Sequence, residues 1–303
     1  MKQTSNSPAT AYSQMFSENT RLAIFVHWSK NDLISGHDQN FIQCLAAEFD
    51  QVLVVCNRNG LNNKNRPQLS CTNDKVQIIE RKNEGYDFGG YQAGMSHIRN
   101  ASDVLTEVLL VNNSVFLLKN SLSELMQLVR GSDFDVTAVT SSVEEKFHLQ
   151  SYFIHFKERT LRNPGLWDWF SALETSNDKR ATVSSLEIPF SNVMNTLGYT
   201  CGAIWDSQQL VNFLFSTAGA NLMNEFRRQT GWIVSIRSFL NEEPLNPTHY
   251  LWAHLLELGS PFIKKDLVRG KNIRDLGVNK WETYCESVEI ENLIKQELTR
   301  QKV

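Results

Sequence analysis

An α/β domain built on a largely parallel sheet is the fold this sequence predicts, and three observations predict it. Short runs rich in Val, Ile and Leu recur at residues 22–26, 52–55, 76–79, 108–111 and 136–139. Short apolar runs of this kind look like strands buried in a largely parallel sheet. Helical patterns lie between them, as βαβ crossovers require. The 303 residues can bury a full core, and no internal repeat or low-complexity linker divides them.

Taken in order, residues 1–20 are polar and rich in Ser, Thr and Asn, and are expected to be a flexible tail. Residues 37–49 place Phe41, Ile42, Leu45 and Phe49 on one helical stripe. The third apolar run leads into Arg-Lys-Asn-Glu-Gly-Tyr-Asp-Phe-Gly-Gly-Tyr-Gln-Ala-Gly at 81–94. Glycine lacks a Cβ, so a strand-to-helix turn carrying Gly85, Gly89 and Gly90 can reach positive φ and bring amides against a ligand. A glycine-rich turn with no ligand is the alternative. The spacing is not GxGxxG, which disfavours a dinucleotide site and a small-molecule Rossmann enzyme. Residues 92–98 supply a short helix.

Ser121 and Glu124 have capping-box spacing and predict a helix over 122–130. Residues 150–156 alternate like a strand, whereas 166–173 and 207–215 read as helical. Trp167 and Trp169 could offer a flat face to a sugar, but core positions are the favoured reading. Asn246-Pro247 joins an N-cap acceptor to a proline suited to the first helical turn, so a helix is expected over 247–258 with His249 near its start.

The net charge of −3, from 30 basic and 33 acidic residues, gives no global field for nucleic acid. Cys44, Cys56, Cys71, Cys201 and Cys285 are scattered without a CxxC pair, arguing against zinc or redox work. No apolar segment approaches membrane-spanning length, and a cytoplasmic protein is expected. Lys264, Lys265, Arg269, Lys271 and Arg274 form a basic cluster, read either as solvated surface or as a peripheral contact with an anionic membrane at the inner face of the cell membrane.

Several segments together resemble the rhamnan synthesis protein F family of glycosyltransferases over about residues 21–270. They are Phe25-Val26-His27-Trp28, the 81–90 segment, Leu109-Leu110-Val111-Asn112-Asn113-Ser114-Val115-Phe116, His148-Leu149-Gln150-Ser151-Tyr152-Phe153, Glu187-Ile188-Pro189-Phe190-Ser191 and Pro261-Phe262-Ile263-Lys264. The resemblance implies a GT-A like fold, with a nucleotide-binding half at 21–140, an acceptor half at 141–270 and a C-terminal helical tail at 271–303. It also implies a bacterial enzyme that moves a sugar, first L-rhamnose from dTDP-rhamnose, onto a saccharide acceptor, either free or lipid-linked, in O-antigen or rhamnan synthesis. A degenerate module that binds nucleotide-sugar or glycan for a partner enzyme is the alternative.

The same resemblance assigns expected roles. Glu187 is the candidate base of an inverting transfer, with a helix-capping role as its alternative. His27, Asn83, Gly85, Asp87, Gly89, Asn112, Asn113 and Ser114 are expected at the donor, and His148, Gln150, His249 and Lys264 at the acceptor or diphosphate; the alternatives are that Asn112 and Ser114 cap a loop, that Asp87 stabilises the turn, and that His148 and His249 are structural. Asn112-Asn113-Ser114 stands where GT-A enzymes usually carry Asp-x-Asp. Neutral oxygens suit magnesium or manganese poorly, so weak or absent metal dependence is expected.

Overall fold

The computed structural model describes residues 16–60, 66–70, 73–243, 245–270 and 276–300. Cys71, Lys271, Arg274 and most of the N-terminal tail lie outside them. The chain opens with β1 (Thr20–Trp28), α1 (Gly36–Glu48), β2 (Gln51–Arg58), β3 (Val76–Lys82) and α2 (Tyr86–Ile98). It continues through β4 (Leu105–Asn112), β5 (Val115–Leu117), α3 (Ser123–Gly131), β6 (Val136–Ser142), β7 (His148–Leu149) and β8 (Phe153–Lys157). Next come α4 (Glu158–Leu161), α5 (Pro164–Ser171), α6 (Lys179–Thr182), a π-helical turn at Val183–Glu187, α7 (Ile188–Thr196) and β9 (Cys201–Trp205). The last part holds α8 (Ser207–Leu214), α9 (Thr217–Glu225), α10 (Thr230–Leu240), α11 (Pro247–Tyr250), α12 (Trp252–Glu257), β10 (Phe262–Lys264), α13 (Lys265–Val268) and α14 (Val288–Arg300).

The five apolar runs become β1, β2, β3, β4 and β6, in a sheet ordered 3-2-1-4-8-6 with β9 parallel on the far side of β6. The first four strands are parallel. β8 runs antiparallel between β4 and β6, and β7 antiparallel to the end of β6. Only residues 143–152 separate β6 from β8, too few for the crossover a parallel return needs. Apolar layers cover both faces: α1, α3 and the C-terminal helices on one, α2, α5 and α7 on the other. Ile290 and Ile294 of α14 are buried in the first layer.

Two local expectations change. Ser121 Oγ accepts from Ser123 N at 3.1 Å and α3 begins at Ser123, so no capping box forms. The glycine-rich segment lies inside α2, which starts six residues earlier than residue 92. Its glycines let the helix lie against the central strand: a Cβ on Gly90 would stand 2.5 Å from Val26 Cγ1, and one on Gly94 2.6 Å from Ile24 Cγ2. Trp167 is buried and its Nε1 donates to Leu161 O at 2.8 Å, in keeping with the core reading.

Candidate functional site

Parallel pairing puts the carboxyl ends of β1, β2, β3 and β4 on one edge, where open α/β sheets take ligands. At this edge Asn113 joins β1 to β4. Its Oδ1 accepts from Trp28 N at 3.1 Å while its Nδ2 donates to Trp28 O at 3.0 Å and to Asp38 Oδ2 at 3.0 Å. Asn112 is buried, its Oδ1 accepting from Ser114 N at 2.9 Å and its Nδ2 donating to Tyr91 OH at 3.1 Å.

From Tyr91 the bonding runs on to Glu187. Tyr91 OH donates to Ser151 O at 2.7 Å, and Ser151 gives Glu187 Oε1 two hydrogen bonds, from N and Oγ, each 2.9 Å. A continuous chain Ser114–Asn112–Tyr91–Ser151–Glu187 therefore links the end of β4 to the candidate base. Burial first, and then the negative charge of Asp87, push the Tyr91 hydroxyl well above its ordinary pKa, so it stays a neutral donor. Glu187 closes the π-helical turn, a rare distortion often found at functional sites. Among the described residues its Oε2 accepts no hydrogen bond.

On the other side of the β4 end, β10 pairs antiparallel with β5 and brings Lys264 beside Ser114. Lys264 Nζ lies 3.3 Å from Ser114 Oγ and 4.6 Å from the centre of the Tyr152 ring. His249 reaches the same neighbourhood, its Nε2 3.1 Å from Asp266 Oδ1. Gln150 is buried and tied to Thr140 Oγ1 at 2.6 Å and Asn246 Oδ1 at 2.8 Å. His148, also buried, bonds Lys146 O through Nδ1 at 2.8 Å.

The glycine turn stands at the β3 end. Gly85 takes φ 74° and the next residue, Tyr86, φ 50°. The second value is uncommon for an aromatic residue and is worth a functional reading. Asn57 holds the turn, donating to Tyr86 O at 3.2 Å, and Asn83 N donates to Arg58 O at 2.8 Å. The amides expected to face a ligand are engaged within the fold: Gly85 N donates to Asn177 Oδ1 at 3.1 Å and Gly89 N to Gly85 O at 2.8 Å. Asp87 sits half-buried on the first turn of α2.

Below Asn113 lies a buried charge network that sequence reasoning missed. Lys265 Nζ is 2.7 Å from Asp38 Oδ1 and 2.8 Å from Glu297 Oε1, and Arg269 also pairs with Glu297 at 2.9 Å. Burial alone would raise the Asp38 carboxyl, but Lys265 and the imidazoles of His27 and His37 hold it well below the usual range. The buried His27 has its Nε2 3.4 Å from Asp38 Oδ2. Lys265 is therefore no surface residue, and the basic cluster read from the sequence loses it and the paired Arg269 as open charges.

The donor set does not fit a divalent metal. Asn112 and Asn113 spend their side-chain oxygens on backbone amides. Among the described residues His37, Asp38 and Glu297 are close enough to share an ion, but the Lys265 ammonium already bonds both carboxylates. Besides that network, the sequence reading missed Tyr91 and Ser151 as links and Trp28 and Tyr86 as exposed rings at the edge. A tyrosine one helical turn after Asp87 was the available signal for Tyr91.

The chain has relatives among known proteins. An uncharacterized protein, y4gN, of Sinorhizobium fredii (strain NBRC 101917 / NGR234) is 30% identical over 165 residues, covering 53% of this chain and 42% of its own length. The chain thus spans less than half of that relative. Virulence protein VirA of Vibrio anguillarum is 24% identical over 84% of this chain and 81% of its own. Among solved structures, the glycosyltransferase GlyE of Streptococcus pneumoniae TIGR4 superposes with a TM-score of 0.42 at 10% identity, over 94% of this chain and 64% of that one. Rv0371c of Mycobacterium tuberculosis H37Rv gives 0.34 at 12% identity, over 57% and 86%. The family model for rhamnan synthesis protein F matches residues 52–257, from within β2 to the end of α12, and takes in Asn112, Ser151 and Glu187 alike. With two thirds of its length inside that match, the chain belongs to the rhamnan synthesis protein F family.

Proposed function

We propose that this protein is an inverting glycosyltransferase that moves a sugar from a nucleotide-activated donor to a saccharide acceptor. The observation that carries the reading is the hydrogen-bonded chain from Ser114 at the β4 end to Glu187, with Lys264 beside Ser114. It joins an edge suited to nucleotides to a carboxylate with one oxygen held and one open. The donor lies across the carboxyl ends of β1 to β4, and its base stacks on the exposed rings of Trp28 and Tyr86. Asp87 and Asn83 accept from or donate to the ribose, with His27 beneath the site.

In the reaction an acceptor hydroxyl oxygen attacks the anomeric carbon as the bond to the diphosphate breaks. The hydroxyl proton passes to Glu187 Oε2, while Ser151 keeps the carboxylate aimed. Charge growing on the diphosphate is met by Lys264 and His249. Gln150 and His148 shape the acceptor side. Family membership supports L-rhamnose from dTDP-rhamnose as the first donor to test. A lipid-linked acceptor in cell-surface polysaccharide synthesis, met in the cytoplasm, follows from the same reading. Among the described residues no helix is long and apolar enough to cross a membrane.

A second reading, a binding module without turnover, is favoured by one observation: Asn112 and Asn113 are committed to structural bonds where acids commonly stand. One experiment separates the two. A panel of nucleotide-sugars including dTDP-rhamnose is scored for thermal stabilisation and for transfer or hydrolysis, with and without chelator, because a ligand that binds the folded state raises Tm. Stabilisation with turnover that survives chelation is expected. Stabilisation without turnover supports the module, and no response to any donor sinks both.

A further inference from the structure

Helix α10 is apolar on two opposite faces. Trp232, Ser235 and Ile236 are buried, with the Trp232 ring stacked on His254 at 5.0 Å between centroids. Yet Ile233, Val234 and Leu240 are 38%, 50% and 45% exposed. At 3.6 residues per turn, Ile233, Val234, Arg237 and Leu240 fall within an arc of about 120°, so they make one outward face with Arg237 in its middle. A helix apolar all round is normally buried. This one is anchored through Trp232 and Ile236 and leaves the other apolar stripe without cover from the described residues.

Arg237 is the one charged residue of α10, and two further basic residues precede the helix. Arg227 and Arg228, on the approach to α10, are exposed, as is Arg237, and none of the three makes an ion pair or side-chain hydrogen bond with the described residues. No acid lies within α10. Glu225 upstream is paired with Lys280 at 2.8 Å, and Glu242 and Glu243 come only after the helix ends. Lys265 and Arg269, by contrast, are neutralised by Asp38 and Glu297, and Arg130 by Glu48 and Glu107.

We propose that the outer face of α10 is a docking surface for an anionic lipid bilayer. Ile233, Val234 and Leu240 enter the boundary between headgroups and acyl chains, and Arg237 lies among them with its aliphatic stem buried and its guanidinium at the phosphates. Arg227 and Arg228 add attraction from the rim. Charge selects the occupant: Arg237, in the middle of an apolar stripe on a helix without acids, meets phosphates at a bilayer, whereas a second copy docked about the stripe's centre would set Arg237 against Arg237. This inference is independent of the sugar-transfer reading.

The test is sedimentation of the full chain with vesicles of phosphatidylcholine alone or mixed with phosphatidylglycerol. The wild-type chain is expected to sediment with the anionic vesicles, to stay in solution with the neutral ones, and to be released by salt. Replacing Ile233, Val234 and Leu240 together by Ser should abolish the association, with Tm within a few degrees of wild type because Trp232 and Ile236 remain. Replacing Arg227, Arg228 and Arg237 together by Gln should weaken it about a hundredfold, at about fivefold per charge. Three results overturn the proposal: no binding of wild type to anionic vesicles, binding that either triple variant leaves intact, or a wild-type dimer in solution that the Ser variant dissociates.

Discussion

Ser151 directs both of its donors at one oxygen of Glu187: its N–H and its Oγ each lie 2.9 Å from Oε1. The geometry arises from two irregular elements meeting. Ser151 sits in the turn between β7 and β8, and Glu187 at the end of the π-helical turn before α7. The carboxylate is thereby held at one oxygen and open at the other, and Tyr91 and Asn112 carry the same bonding to the sheet edge. Tyr91, Asn112 and Glu187 come from three distant stretches of chain, and it is the fold that connects them.

Asn113 invites a reversion to acid, and the structure argues against it. Its Nδ2 donates to Trp28 O and to Asp38 Oδ2, so in Asn113→Asp both bonds become oxygen facing oxygen, one of them beside an ionised Asp38. The variant is expected to lose about 1 to 3 kcal/mol of stability at neutral pH. Chemical denaturation with and without manganese measures it. Unchanged stability without metal would show that the two-way bond to Trp28 does not hold β1 against β4.

The glycines of α2 make a second test. Gly94→Ala puts a Cβ 2.6 Å from Ile24 Cγ2 and 3.1 Å from its Cδ1, on a strand buried from both sides. Overpacking there should cost about 1 to 3 kcal/mol, although alanine is the better helix former by about 1 kcal/mol. Gly131→Ala at the end of α3 meets nothing within 4 Å and should be neutral or slightly stabilising. Equal melting temperatures for the two variants would contradict close packing of α2 on β1.

That contrast shows where the sequence was legible. Buried strands announce themselves by composition, so β1, β2, β4 and β6 were readable, as was the start of α11, where Asn246 Oδ1 accepts from Thr248 N at 3.1 Å; β3 was readable as a strand but not as the half-exposed edge of the sheet. The glycines were readable as a need for close approach but not as to what approaches: for Gly90 and Gly94 it is β1. The helix expected over 247–258 breaks at Leu251 into α11 and α12, because a local start signal says nothing about where tertiary packing interrupts a helix. Lys265 looked like surface, since only its meeting with Asp38 and Glu297, 227 and 32 residues away, makes it core. The π-helical turn carrying Glu187 left no local trace.

Acid should loosen the sheet through Glu107. Burial opposes its charge, but hydrogen bonds from His155 and Arg130 prevail and hold its pKa at about 2, against 4.5 for the free group. A carboxylate with a depressed folded-state pKa stabilises fully above its unfolded pKa and loses that contribution as pH falls toward the folded value. Glu107→Gln is therefore expected to be less stable than wild type at pH 7 by about 2 to 3 kcal/mol, with the difference shrinking between about pH 4.5 and 2. Urea titrations across that range measure it. A gap between the two proteins that stays constant with pH would contradict the assignment.

Glu187→Gln tests the chemistry with least disturbance to the fold. Oε1 of the glutamine still accepts from Ser151 N and Oγ, so the irregular turn keeps its hydrogen bonds and Tm should stay near wild type. The other oxygen becomes an amide NH2, which cannot take a proton from an acceptor hydroxyl. Where the chemical step limits turnover, kcat should fall about a hundredfold or more while donor affinity is unchanged, the separation expected when general-base catalysis is lost. Ser151→Ala is the graded companion. It removes the Oγ bond and keeps the backbone one, so a smaller fall in kcat with intact donor binding is expected, because the carboxylate is less well aimed but still present. Calorimetry with the nucleotide-sugar and steady-state transfer to the acceptor measure both variants. A folded Glu187→Gln protein that transfers sugar at the wild-type rate would place the base on another residue and leave Glu187 as the group that pins the His148–Tyr152 segment to α7.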